Sequence, residues 1–371
     1  MATEIQLRCY NSFAQLRADA AGRLDGGAQP GPFDRLDWFE ALHARAFEGE
    51  YPLVLQASRG DAYAWLFLTG PTGGPLRGIA NWYSFVFRPQ FASAADGATR
   101  LALLTAIARD LRGRSVQLRF HPIIDDTPAD DALLTNAFEA AGWRVISRVM
   151  ARKRLLHLPP DACFEDYWGQ RPGALRSTFK RKAHRHPLDI AIHGSIDDQS
   201  WAALEALFGA SWKPEGDDFA FLRTFAESEA VAGRLRLGLG RLDGQPAAVE
   251  LWTIEQGRAY IHKLAFDERF AHASPGTQLS HAMFRNAIDV DKVRLIDFGT
   301  GDNDYKANWM PAAVPMRQVD AFDLRHPASW RPAFAAWLSA LSQPGGEGTH
   351  IESKASGGRR AALDLAVRGK A

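Results

Sequence analysis

The stretch AYIHKLAFDERFAHASPGTQLSHAMFRNAIDVDKVRLIDFGTGDNDYKANW (residues 259–309) decides how this chain folds. It predicts a strand, an irregular turn, a helix that begins at Ser274-Pro275-Gly276, a second strand, and a glycine-rich turn into another helix. Two places in it are candidate functional sites. The N-terminus of the first helix can hold an anion, and the turn at residues 298–306 gathers polar and ionisable side chains at the carboxyl end of a strand.

The composition limits the class of protein. The chain has 371 residues, enough for two domains, and its formal charge of +1 gives no global preference for nucleic acid or membrane. Its two cysteines, Cys9 and Cys163, lie far apart and match no metal-ligand spacing. The N-terminus lacks a signal-peptide pattern, and no apolar run is long enough to span a membrane. We therefore expect a cytoplasmic protein with no membrane span and no metal cofactor.

The order of predicted elements indicates a mixed α/β fold of the α+β type. In the first half, strands and amphipathic helices alternate, and an aromatic stretch at residues 79–87 also resembles a strand. Pro159-Pro160 marks a boundary, after which a similar order of helices, hairpin strands and further helices recurs. We expect two domains, at residues 1–158 and 159–341, each with a mostly antiparallel sheet flanked by helices. The glycine-, serine- and charge-rich residues 342–371 predict a disordered tail.

Five segments together resemble a known family. The resemblance is to the GNAT acyltransferase superfamily, in its CelD/BcsL-type or FemAB-like branch. The segments are GRLDGQPAAVELW (240–252), AYIHKLAFD (259–267), SPGTQL (274–279), IDFGTGDNDYKANW (296–309) and the basic run LRSTFKRKAHR (175–185). The resemblance implies two tandem GNAT-like domains, of which the N-terminal one is degenerate and the C-terminal one is the acyltransferase. It also implies acetyl-CoA as the acyl donor.

The predicted donor site is the helix start at residues 274–278. Ser274 is suited to cap the helix and Pro275 to its first position, while Gly276 lets a ligand approach the backbone. The free N–H groups and the helix dipole favour a phosphate. We therefore predict that Ser274, Gly276, Thr277 and Gln278 bind the cofactor. The alternative is an ordinary helix start without a ligand.

Acyl transfer to an amine or a hydroxyl needs a base for the nucleophile and an acid for the leaving group. The resemblance places the acid at Tyr305. Glu250, on a predicted strand, is a candidate base, and His262 on the adjacent strand competes with it because its ordinary pKa suits proton transfer near neutral pH. The alternatives are structural: Tyr305 only packs with Trp309, and the Glu and His are paired or face solvent.

Four further residues are predicted to bind substrate, namely Asp302, Lys306, Lys263 and Trp212. Alternatively, Lys306 pairs with Asp302 or Asp297, and Trp212 belongs to the core.

A basic run also stands out. Its members are suited to the phosphates of coenzyme A, to an anionic glycan or to a tRNA acceptor stem, unless they form a solvated helix face; they are Arg171, Arg176, Lys180, Arg181, Lys182, His184 and Arg185.

The leading functional hypothesis is therefore transfer of an acyl group, acetyl from acetyl-CoA, to an amine or hydroxyl of a sugar or a cell-envelope polysaccharide precursor. The donor and the acceptor follow from the resemblance. One alternative within the fold is FemAB-like aminoacyl transfer from tRNA to a peptidoglycan precursor. Another, of a different class, is a non-catalytic GNAT-like scaffold in polysaccharide synthesis. The sequence does not specify an oligomeric state.

Overall fold

A computed structural model describes residues 4–92, 95–124, 128–209 and 218–341 of the chain. Thirteen strands form one sheet. The strands are β1 (Gln6–Tyr10), β2 (Tyr51–Arg59), β3 (Ala62–Gly70), β4 (Leu76–Gly78), β5 (Gln90–Phe91), β6 (Gln117–Ile124), β7 (Arg144–His157), β8 (Asp189–His193), β9 (Leu235–Leu242), β10 (Gln245–Glu255), β11 (Arg258–Phe266), β12 (Leu295–Thr300) and β13 (Ala312–Phe322).

Helices cover both faces of this sheet. The α-helices are α1 (Phe13–Ala20), α2 (Leu36–Ala46), α3 (Gly97–Leu111), α4 (Pro128–Ala140), α5 (Phe164–Gly169), α6 (Gly173–Arg185), α7 (Asp198–Gly209), α8 (Phe219–Val231), α9 (Pro275–Arg285), α10 (Asp304–Trp309) and α11 (Trp330–Leu341). Short 3-10 turns precede α2, α9 and α11, and a π-helical turn, Asn286–Val290, follows α9. The mixed α/β prediction is confirmed.

The sheet is continuous across both halves of the chain. Its strand order is β1-β2-β3-β4-β6-β13-β7-β12-β11-β10-β9-β8, with β5 paired to β3. Within the described residues, the neighbouring strands are antiparallel except for two parallel pairs, β4 with β6 and β11 with β12. The last strand, β13, lies between β6 and β7, so the end of the chain completes the sheet of the first half. The division into two domains stays a prediction.

The parallel pair β11 and β12 positions the candidate site. The pairing lasts for three residues, from Arg258 opposite Leu295 to Tyr260 opposite Asp297, and beyond it the two strands separate. Helix α9 connects them, and its buried stripe of Leu279, Met283 and the following Ala287 packs on the sheet, as the four-residue spacing predicts. The separation leaves a gap at the carboxyl ends of the two strands.

The prediction of a strand at residues 79–87 is wrong. The Asn81 side chain accepts a hydrogen bond from the backbone N–H of Tyr83, and this turns the chain. The aromatic residues then pack from a loop: Phe85 is buried, and the Phe87 ring lies against Gly78, where any Cβ would clash with it. The aromatic composition that is typical of a strand therefore serves here to fill the space between the two halves. Helix α1 lies in a segment for which the sequence predicted no element.

A buried carboxylate fixes the inserted strand β13. Asp320 is fully buried and accepts hydrogen bonds from Arg119 of β6 at 2.8 Å, from Arg148 of β7 at 3.1 Å and from Gln318 at 2.7 Å. The Arg148 side chain is also largely buried, at 13% exposure. A charge that is removed from water in this way stabilises the fold only while its partners remain.

We therefore predict that Asp320→Asn lowers the free energy of unfolding by about 3 kcal/mol, because it leaves the charges of Arg119 and Arg148 without their counter-ion. Urea unfolding of the full chain measures this. The matched control is Asp198→Asn, whose carboxylate is 92% exposed in its ion pair with Arg223 and should give no measurable change. Equal stability of Asp320→Asn and wild type would show that the packing of β13 between β6 and β7 does not depend on this charge.

Candidate functional site

The gap between β11 and β12 opens into a cavity of about 420 Å³. One wall is the second half of β11 and the other is the end of β12 with the start of α10; the first half of the chain closes the cavity with the aromatic loop that precedes β5. The lining residues are Trp82, Phe85, Phe208, Ile261, His262, Lys263, Leu264, Ala265, Phe266, Phe298, Gly299, Thr300, Asn303, Tyr305 and Lys306. A concave, mainly apolar space with a few polar groups is typical of a small-molecule site.

The glycine at the end of β12 shapes this cavity. Gly299 has φ +65°, and a Cβ there would lie 2.8 Å from the ring of Phe85, so the position excludes other residues on both counts. Gly301 also has positive φ. The Asn303 side chain then accepts from the N–H of Lys306 and starts α10. These turns place Tyr305 and Lys306 in the cavity wall.

A buried ion pair also holds the turn that contains Gly299 in place. Lys153 of β7, 1% exposed, donates to the Asp297 carboxylate at 2.5 Å and to the carbonyl oxygen of Phe85 at 3.0 Å. The other oxygen of Asp297 accepts from the N–H of Gly299 at 2.9 Å. The pair therefore connects β7, the aromatic loop and the end of β12. The burial of Lys153 could not be predicted from the sequence, because a lysine within a strand usually faces solvent.

A chain of three side chains leads from the cavity into the core. The Tyr305 hydroxyl lies 2.7 Å from Ser280 Oγ and 3.3 Å from the Gly276 carbonyl oxygen, and its single proton can be donated to either. Ser280 Oγ donates a very short hydrogen bond to Glu250, whose other oxygen accepts from Trp252 Nε1 at 2.7 Å. Tyr305 lines the cavity, whereas Glu250 is 1% exposed and does not line it. Glu250 therefore reaches the cavity through Ser280 and Tyr305.

Sequence reasoning named the two ends of this chain but missed its middle. Ser280 is fully buried on α9, next to Leu279 of the core stripe. A serine in the buried part of an amphipathic helix was the available signal, since a buried hydroxyl needs a hydrogen-bond partner. Burial, together with the negative charge of Glu250, raises the pKa of the Tyr305 phenol far above its ordinary value. Tyr305 therefore stays protonated throughout the physiological range and can donate a hydrogen bond.

His262 lies in the opposite wall, at an irregularity of the sheet. Leu251 pairs with Lys263 and Trp252 with Ile261, so His262 is the extra residue of a β-bulge. Its Nε2 is 2.8 Å from the Thr253 hydroxyl, and its ring packs among aromatic rings that include Phe85. Burial lowers the pKa of the imidazole to about 3, so the ring is neutral at neutral pH. A group with this pKa is a weak base near pH 7.

The four predicted substrate-binding residues fall in different places. Lys306 and Lys263 line the cavity; Lys306 Nζ donates to two carbonyl oxygens at the end of β12, and Lys263 Nζ lies over the rings of Tyr83 and Phe208. Asp302 is not among the lining residues and accepts from Arg154 at 2.6 Å. Trp212 is outside the described residues.

The start of α9 differs from a simple capped helix. Ser274 occupies the N-cap position as expected, but it has φ +51° and its side chain makes no capping hydrogen bond. Its carbonyl oxygen instead accepts from the N–H groups of Thr277 and Gln278. The Gln278 side chain is 3% exposed, donates to the carbonyl oxygens of His186 and Ala273, and accepts from the N–H of Leu188. Gln278 therefore joins α9 to the chain before β8, and the Gly276 carbonyl oxygen lies 3.3 Å from the Tyr305 hydroxyl.

The basic run forms helix α6, and most of its charges are on the surface. Arg176, Lys180, Arg181, His184 and Arg185 are exposed. Arg171 differs: it is 7% exposed, lies over the Tyr167 ring and donates to the carbonyl oxygen of Trp309. Arg171 thus holds the last residue of α10 through its backbone carbonyl. Lys182 donates to the carbonyl oxygen of His272, so α6 lies beside the turn that leads into α9.

Two negative findings apply to the part of the chain that the structure describes. There, three or more His, Cys, Asp or Glu side chains nowhere come together in a group that could hold a metal ion. None of the helices there has the length and apolar content needed to cross a membrane.

One family model matches part of the chain. Residues 171–307 match the family model described as an acetyltransferase (GNAT) domain. This match includes β11, α9, β12 and most of α10, and thus both ends of the hydrogen-bonded chain from Glu250 to Tyr305. The full sequence has no significant match among curated proteins.

Solved structures share the fold over most of the chain. FemX is 11% identical, with a TM-score of 0.57 over 86% of this chain and 98% of its own. The C-terminal domain (DUF2156) of a protein assigned as a lysylphosphatidylglycerol synthetase, from Agrobacterium fabrum, is 14% identical, with a TM-score of 0.55 over 89% of this chain and 96% of its own. A tandem GNAT protein of clavulanic acid biosynthesis gives 15% identity and a TM-score of 0.44 over 85% and 98%. The FemX and Agrobacterium fabrum structures confirm the predicted resemblance for the fold.

The depressed pKa of His262 predicts acid sensitivity. The unfolded chain takes up a proton on this histidine near pH 6.5, whereas the folded chain does so only near pH 3. Stability from this group is therefore complete above pH 6.5 and is lost as the pH falls toward 3, by at most about 1.4 kcal/mol per pH unit. His262→Gln should flatten the dependence of the unfolding free energy on pH in this window.

The control is His193→Gln, which replaces an exposed histidine and should leave the pH dependence as in wild type. Urea unfolding at a series of pH values measures all three proteins. Parallel curves for wild type and His262→Gln would mean that the histidine also protonates readily in the folded chain.

Proposed function

We propose that the protein is an acyltransferase whose reaction takes place in the cavity between β11 and β12, since residues 171–307 match the family model described as an acetyltransferase (GNAT) domain. The observation that supports this most is the Tyr305 hydroxyl, which lies in the cavity wall and is hydrogen-bonded through Ser280 to the buried Glu250. A neutral hydroxyl in an apolar, enclosed space is suited to protonate a leaving group.

The reaction needs two proton transfers. The acceptor's amine or hydroxyl attacks the acyl carbonyl carbon, the bond to the leaving sulfur or oxygen breaks, and that atom takes the proton of Tyr305. The acceptor's proton then restores the Tyr305 hydroxyl. In this scheme Tyr305 is the acid, and it ends the turnover in the state in which it began.

Glu250 acts through Ser280 in this scheme. Its two oxygens are occupied by Ser280 and Trp252, so its charge directs the Ser280 proton inward and leaves a Ser280 lone pair for Tyr305. This makes Glu250 and Ser280 positioning residues. His262, on the opposite wall and neutral, is placed to accept a hydrogen bond from the acceptor, and it remains the competing candidate for the base.

The proposed donor is an acyl-CoA, acetyl-CoA first. Gly276 and Thr277 at the start of α9, with Lys182 and the exposed cations of α6 beside them, offer a polar edge for its phosphates. The proposed acceptor is an amine or hydroxyl of a sugar or cell-envelope polysaccharide precursor, and the proposed location is the cytoplasm. These finer assignments rest on the family resemblance.

A second candidate is aminoacyl transfer from tRNA. Helix α6 carries five exposed basic residues and no acidic one, a surface suited to a polyanion longer than coenzyme A. The fold likeness to FemX and to the domain from the assigned lysylphosphatidylglycerol synthetase fits this candidate equally well. The two candidates share the cavity and differ in what α6 contacts.

The role of Tyr305 can be tested by removing one oxygen atom. We predict that Tyr305→Phe lowers kcat by about 10²- to 10⁴-fold and changes the affinity for the donor only a few-fold, because the ring still fills the wall. Ser280→Ala keeps the Tyr305 hydroxyl but removes the group that orients it, and it should lower kcat by about tenfold. The control is Tyr51→Phe, at an exposed position in β2. An active Tyr305→Phe variant with an unchanged pH profile would remove Tyr305 from the mechanism.

Thermal unfolding with candidate donors distinguishes the two functions. We predict that acetyl-CoA, a longer acyl-CoA or free CoA, at about a hundred times its Kd, stabilises the chain by about 2.7 kcal/mol. The double variant Lys180→Glu/Arg181→Glu should weaken CoA binding modestly. No stabilisation by any of these, combined with salt-sensitive tRNA binding that the double variant abolishes, would favour aminoacyl transfer. Binding of neither would favour a non-catalytic scaffold.

A further inference from the structure

Large apolar side chains are concentrated on one exposed surface of the protein. The described residues include eleven exposed large hydrophobic side chains, and six of them lie between Leu324 and Leu341. We call these six the α11 face; they are Leu324, Trp330, Phe334, Trp337, Leu338 and Leu341, with exposures from 43% to 63%. Isolated exposed apolar residues are ordinary, but a contiguous group of this kind marks an interaction surface.

Helix α11 packs in the reverse of the usual sense. The residues that it buries against β7 and β13 are the small Ala333 and Ala336, whereas its large side chains point away from the sheet. The rings of Phe334 and Trp337 lie 5.8 Å apart on the outer surface. A helix that served only to cover the sheet would bury its large side chains, so the outward aromatic face indicates an apolar environment beyond the described residues.

The charges around the α11 face are mainly positive. Arg331 lies on the helix itself, which contains no acidic residue, and Arg325 and Arg144 are exposed nearby. The two neighbouring carboxylates are buried: Asp323 accepts from both Arg112 and Arg325, and Asp320 from Arg119 and Arg148. Each buried carboxylate thus balances only one of its two arginines, and the surface keeps an excess of positive charge.

The composition of the face favours a lipid surface over a second copy of the chain. A helix with Trp, Phe and Leu on one side and Arg at its flank is the kind that lies in the headgroup region of a membrane. Tryptophan is enriched at that depth because its ring is apolar and its N–H is polar.

We propose that the α11 face docks the protein peripherally onto an anionic lipid surface, with Trp330, Phe334, Trp337, Leu338 and Leu341 inserted among the headgroups and Arg325 and Arg331 beside anionic phosphates. This docking surface is separate from the cavity, because none of its residues lines it. It would bring the enzyme to acceptors that are held at a membrane, and it does not depend on the identity of the acyl donor.

Flotation of the full chain with vesicles tests this. We expect the protein to float with vesicles of two parts phosphatidylcholine and one part phosphatidylglycerol at low salt, and less at high salt because screening weakens the arginine contacts. Phosphatidylcholine alone should bind much less. Phe334→Ser/Trp337→Ser should reduce binding by about tenfold or more, and Arg331→Glu should reduce binding to the anionic vesicles selectively.

The matched control is Val231→Ser/Val290→Ser, which makes the same kind of change at two other exposed apolar positions, with exposures of 92% and 70%, and should bind as wild type. Failure of the wild type to float with anionic vesicles would overturn the proposal. Vesicle binding that is the same for wild type and for both double variants would also overturn it. If the molar mass in solution instead shows a dimer that Phe334→Ser/Trp337→Ser dissociates, with no vesicle binding, a second copy covers the face and the lipid proposal is wrong.

Discussion

The three-residue pairing of β11 with β12 is the constraint on which the candidate site depends. Two parallel strands that stay paired along their whole length leave no space at their carboxyl ends, and these separate after Tyr260 and Asp297. The separation exposes both strand edges to one cavity, into which Tyr305 faces from α10 and His262 from the bulge. The same separation lets α9 approach closely enough for Ser280 to join Tyr305 to Glu250.

The separated strands are held open by groups that are themselves buried. The Lys153–Asp297 pair joins β7 to the end of β12 and, through the carbonyl oxygen of Phe85, to the loop from the first half of the chain. That loop is also the reason why Gly299 must be glycine, since Phe85 occupies the space of a side chain there. The N-terminal half therefore shapes the cavity, and the strand β13 that returns to it makes the two halves one sheet.

The sequence predicted most elements because their periodicity is strong, and three residues that it named, Tyr305, His262 and Lys306, line one cavity in the structure. The buried stripe of α9, the hairpin of β9 and β10 and the start of α10 at Asn303 follow from local patterns. What local patterns cannot give is which distant groups meet. Ser280, Lys153 and Phe85 acquire their places through tertiary packing, and the loop at residues 79–89 has the composition of a strand. The insertion of β13 between β6 and β7 is likewise a long-range choice.

The most direct test of the central claim is a crystal structure of the chain with a non-transferable thioether analogue of its acyl donor. The account predicts that the acyl group lies between β11 and β12, with the atom that replaces the leaving sulfur within hydrogen-bonding distance of the Tyr305 hydroxyl, and that Ser280 still links Tyr305 to Glu250. An acyl group bound elsewhere on the protein, or one that faces away from Tyr305 inside the cavity, would contradict it.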